Sequence, residues 1–104
     1  MVKSARAPSH LSAASRRLYA SIVGDYVLER HHLEVLTKAL EARDRADQAR
    51  AEIGNGSLMV TSRLGEPKPH PLLAVERDAR GQFLVAMRAL GLDIEAPPPP
   101  SARR

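Results

Sequence analysis

Apolar positions along this chain fall into helical and strand-like periods that predict its elements in order. Leu11, Ala14, Leu18, Ile22 and Tyr26 recur at steps of three and four, which describes one face of a helix. Ser12 can N-cap it, and Gly24-Asp25 stops it after about Val23. A longer helix is expected from Glu29 to Ile53. Val35, Ala39, Ala42, Ala46, Ala49 and Ile53 follow steps of 4, 3, 4, 3 and 4, a heptad seam. Most of its knobs are alanine, so a facing helix can approach closely. Leu33, Leu36 and Leu40 add a second stripe at the N-terminal end, which implies burial on two faces there. Gly54-Asn55-Gly56 ends the helix.

The period then changes. Leu58, Met59 and Val60 start a short strand, and Leu64-Gly65 turns it. Lys68-Pro69-His70-Pro71 must be extended, because a residue before proline avoids the right-handed helical region. A small β-hairpin is predicted, with the proline-bearing arm on an edge. Pro71 opens a third helix at its first position, with His70 at or near the N-cap. Leu72, Val75, Ala79, Phe83, Ala86 and Leu90 share a face, and Gly91 is the C-cap. Gly81 lies inside at a cost of about 1 kcal/mol relative to alanine. The fold class is therefore mainly α. It has three helices, the second and third forming a long hairpin, with the small β-hairpin between them.

Composition sets the ends apart. Residues 1–10 carry Lys3 and Arg6, no acid and no apolar period, and read as a flexible basic arm. Residues 95–104 hold four consecutive prolines and end in Arg103-Arg104, a polyproline tail. The folded region is expected over 11–94. It is small, and a chain of 104 residues buries only about 60–65% of its unfolded surface when it folds alone. Aromatic residues are 3% of the chain, so its core is thin. Oligomerisation is the simplest remedy, and the alanine seam from Val35 to Ile53 is the expected interface.

Chemistry is narrowed by what is missing. The sequence has no cysteine, which excludes disulfides and thiolate chemistry. His31 and His32 are adjacent, so on a helix they diverge by about 100° and cannot chelate one ion together. No metal site or cofactor is expected. None of the serines sits in a G-x-S-x-G elbow, and GNGS and LGEP are not phosphate loops. Glu41 and Asp44 sit among arginines and read as a solvated face. The chain is not expected to be an enzyme. No apolar run approaches the roughly 18 residues of a membrane span, and the N-terminus lacks the apolar stretch of a signal peptide. The expected compartment is the cytoplasm.

Charge points to a partner. The net charge is +4, and Lys3, Arg6, Arg16 and Arg17 supply most of it, with no acid before Asp25. Repeated around an oligomer, such a segment would concentrate positive charge for a polyanion. Scarce aromatics disfavour stacking on single strands, so duplex phosphate contact fits better. Arg30, Lys38, Arg43 and Arg45 on the long helix are the further candidates. The second helix is too long for a helix-turn-helix, and no compact recognition helix is present.

The order of these features resembles the small subunit of phage terminases, of the type found in siphophages and prophages. The likeness covers about Leu11 to Asp93. It rests on Asp25-Tyr26 between the first two helices, Arg43-Asp44-Arg45-Ala46 in the long helix, and Gly65 with Pro67-Lys68-Pro69-His70-Pro71 in the hairpin. Glu76-Arg77-Asp78-Ala79-Arg80 and the closing Leu90-Gly91-Leu92 complete it. The family often has asparagine where His70 stands. It usually has proline soon after the closing Leu-Gly-Leu, whereas Asp93-Ile94-Glu95-Ala96 intervene here. The resemblance implies a homo-oligomeric ring in the host cytoplasm that binds double-stranded viral DNA and engages the terminase large subunit. That subunit carries the ATPase and nuclease used in genome packaging. The alternative from a different class is a helical assembly or adaptor protein that binds only protein.

Overall fold

The computed structural model describes residues 6–54, 56 and 58–92. Lys3, the tail over 95–104 and the boundary at 94 lie outside them. Helix α1 spans Ala13–Asp25, α2 Arg30–Gly54 and α3 Leu72–Ala89. Strands β1 (Met59–Thr61) and β2 (Pro67–Pro69) lie between α2 and α3. The mainly α fold with an inserted hairpin is as the sequence predicts.

Helix α2 and α3 pack side by side. Leu36 and Leu40 near the start of α2 share a cluster with Phe83, Met87 and Leu90 near the end of α3, so the two helices run antiparallel. Ala39, Ala42, Ala46, Ala49 and Ile53 are buried within the single chain, as is Ala79 of α3; Val35 is half-buried. The seam expected between subunits is thus already covered inside one chain. Alanine knobs suit this pairing because they let two backbones come close. An oligomer needs other surfaces.

Helix α1 closes the end where α2 begins. Leu11, Tyr19 and Ile22 join Leu36 and Leu40 in the core. The buried face of α1 is centred on Ser15, Tyr19 and Ile22, about one position beyond the predicted Ala14–Leu18 line. Tyr26, expected on that face, is exposed. Tyr19 brings the larger apolar area, and Ser15 is admitted because its hydroxyl has a partner.

The hairpin pairs Met59 with Pro69, Val60 with Lys68 and Thr61 with Pro67. His70 N–H donates to the Leu58 carbonyl and Ser62 N–H to the Glu66 carbonyl, both at 2.7 Å. These bonds alternate along an antiparallel ladder, so Pro67 and Pro69 fall where the backbone faces away from β1. The outer edge of β2 therefore offers no proline N–H to a further strand. Gly65 takes a φ of 85° in the turn, which favours glycine. Val60 is half-buried, while Leu58, Met59 and Leu64 are exposed.

Both ends of α3 are satisfied locally. Pro71 precedes the helix in a helical conformation, and His70 Nδ1 accepts the Leu72 N–H at 3.0 Å. At the far end Leu92 N–H donates to Met87 and Gly91 N–H to Arg88, with Gly91 at φ 73°. This is a Schellman motif, and Leu92 packs against the core. The stripe of α3 that faces inward passes through Glu76, whose side chain is largely buried; Val75 is exposed instead. The molecule measures 57 × 50 × 20 Å, and its thin dimension is about two helix diameters.

Candidate nucleic-acid interface

The basic N-terminal segment meets α2 at one joint. Ser12 caps α1 by accepting the Ser15 N–H at 3.1 Å. Asp44 of α2 completes the cap from outside. Its carboxylate accepts the Ser12 N–H at 2.7 Å, the Ser12 hydroxyl at 2.7 Å and the Ser15 hydroxyl at 2.6 Å. In a local capping box a glutamate three residues on would take the N-cap N–H. Ser15 holds that position here, and a carboxylate 32 residues away in sequence does the work. The acid also sits at the positive end of α1.

Partial burial pushes the Asp44 carboxyl upward. The hydrogen bonds from Ser15 and Ser12, with Arg43 nearby, outweigh it and hold the group below its ordinary value. The Arg43 guanidinium approaches the Ser15 hydroxyl at 3.5 Å and Asp47 at 4.0 Å. One turn earlier Glu41 takes His10 Nε2 at 2.8 Å and Lys38 at 3.4 Å. The His10 hydrogen bond, opposed by slight burial and helped by Lys38, holds Glu41 below its ordinary value.

Arg16 belongs to the same joint. Its guanidinium donates to the Leu11 carbonyl at 2.7 Å and the Ser9 carbonyl at 3.3 Å. It fastens the turn before α1, and so is less available to an external phosphate than its exposed position suggests. Arg17 follows about 100° round the helix. It is exposed, with Ala13, Ala20 and Ser21 exposed on the same side, and no described residue pairs with it. Arg6 is exposed on the approach to the joint. Arg45 lines a shallow cleft with His10, Leu11, Glu41, Asp44 and Gln48.

The candidate residues therefore separate. Arg6, Arg17 and Arg45 stand exposed around the α1–α2 joint, without an ion pair among the described residues. Arg16, Lys38 and Arg43 are engaged by carbonyls, a carboxylate or a hydroxyl. Arg30 is exposed at the first turn of α2, nearer the other end of α1. Helical spacing puts Arg30, Lys38 and Arg45 on one face of α2, but Glu34, Glu41 and Glu52 alternate with them. That alternation weakens the field a polyanion would feel along this face. Segment 6–24 contains no acid.

Sequence reasoning missed Asp44 and Glu41 as anchors and read them as a solvated face. A signal was present. Asp44 continues the Leu36–Leu40 stripe by one more step of four, so it points where α1 packs, opposite a helix that begins Ser-x-x-Ser. The comparisons with family models, curated proteins and solved structures gave no match.

Proposed function

We propose that this chain is the small subunit of a phage terminase, an oligomeric protein that binds duplex viral DNA and brings the large ATPase–nuclease subunit to it. The observation that supports this most is the anchored basic segment. His10 and Ser12 fix the start of α1 to α2 and Arg16 fastens the turn before it, while Arg6, Arg17 and Arg45 remain exposed and without an ion pair among the described residues. Fixed cations lose less freedom on binding phosphate than cations on a loose tail. The ordered likeness from Leu11 to Asp93 supplies the packaging role. Contacts of this kind address backbone phosphate more than base edges, so affinity depends steeply on salt.

Retention of labelled duplex on a filter at two salt concentrations tests the reading. Binding at low salt that weakens steeply at the higher concentration is expected. A chain that retains no duplex at low salt is instead the protein-only adaptor. The gene of a terminase small subunit also lies beside that of a large subunit, which separates this role from a small transcriptional regulator.

A further inference from the structure

We propose that the β-hairpin of one copy seats on the α1–α2 connection of the next, making a head-to-tail contact between identical chains. The inference rests on the assembly part of the function proposed above and names the surfaces that make it. The hairpin presents Leu58, Met59 and Leu64 to solvent, Leu64 at 85% exposure. Arg63 and Lys68 are exposed beside them without a partner among the described residues, and Glu66 is the one acid between Leu58 and Pro69. The connection has the opposite character. Tyr26 and Val27 are 52% and 79% exposed, and Asp25 and Glu29 flank them with no ion pair among the described residues. Arg30 is the one base from Asp25 to Arg30. The register sets Lys68 across from Val60 and Met59 across from Pro69, so Lys68 and Met59 lie on opposite faces of the ladder. The hairpin taken whole carries exposed apolar side chains with two bases to one acid, and the connection carries them with two acids to one base.

Position forbids closure within one chain. The connection precedes α2 and the hairpin follows it, and α2 has 25 residues, about 37 Å at 1.5 Å per residue. The patches are different surfaces, so their contact is heterologous, and repetition gives a ring or a filament. The proline edge of β2 bears on the kind of contact. With no N–H from Pro67 or Pro69 to offer, that edge cannot extend a neighbour's sheet. Its partner must be met by side chains, which suits a connection between helices.

Charge reversal tests the pairing in the full chain. Arg63→Glu with Lys68→Glu, and separately Asp25→Lys with Glu29→Lys, should each weaken association by at least about tenfold in sedimentation or light scattering. Circular dichroism should show each variant folded. Mixing the two variants should restore assembly, because each hairpin then meets a connection of opposite charge. The chain has no native cysteine, so Leu64→Cys with Val27→Cys in one chain should give an oxidation ladder beyond the dimer, and neither single change should. A wild-type monomer, unchanged assembly in both charge variants, or a loss that mixing does not restore overturns the proposal. If the hairpin variant assembles normally but no longer binds duplex, the tip is a nucleic-acid element and the proposal also fails. Normal pairing in a chain that never binds duplex would leave this contact standing and remove the function proposed above.

Discussion

At the scale of single residues, one carboxylate joins two helices. Asp44 accepts three hydrogen bonds from the cap of α1, and the Ser15 hydroxyl it holds is fully buried. Asp44→Ala leaves the Ser12 N–H and the Ser15 hydroxyl without this acceptor, so it should cost about 1–3 kcal/mol in denaturant unfolding. The charge sets a pH dependence. Its folded pKa lies below the ordinary value, so its contribution is present above the unfolded pKa and is lost as pH falls through the folded one. Stability should therefore drop below about pH 4, and Asp44→Asn should flatten that drop. Arg16 and Arg17 offer a second comparison. Arg16→Ala removes two bonds to carbonyls and should destabilise by about 1 kcal/mol. Arg17→Ala, on an open surface, should stay within about 0.5 kcal/mol in the same unfolding measurement.

At the scale of elements, the helices and the hairpin were legible because their signals are local. The steps of Val35 to Ile53 and the stop at Gly54 need no knowledge of the rest of the chain. The Gly91 cap and the prolines of β2 are equally local. What the seam packs against is not local. A heptad of alanines says that a helix approaches closely, but not whether that helix belongs to the same chain. Here α3 takes the place, and the Ser15–Asp44 joint was hidden for a similar reason, since its partners are 29 residues apart. Ala46→Leu tests the close approach. Extra carbons where Ala46 is 7% exposed should force α2 from α3 and cost about 1–3 kcal/mol, read as a lower unfolding midpoint. Ala51→Leu on the exposed side should leave that midpoint nearly unchanged.

At the scale of the whole molecule, the two ends differ. Three helices meet around Leu11, Tyr19, Ile22, Leu36 and Leu40, whereas the other end carries the hairpin with its apolar residues exposed. Amide exchange should be slowest around Leu36 and Leu40 and fastest in β1 and β2. The same division separates two surfaces. The anchored end holds the exposed cations to which the proposed function assigns DNA binding, and the hairpin lies at the opposite end of α2. The salt dependence of duplex binding, measured for the wild type and for Arg17→Ala, tests the DNA-binding account most directly. A straight, steep fall of log K with log salt is expected for the wild type. Arg17→Ala should bind more weakly on every duplex sequence, with a slope smaller by about 0.9 for each phosphate that the binding unit no longer neutralises. Equal affinity and an equal slope for the two proteins would contradict the claim that the α1 surface holds the DNA.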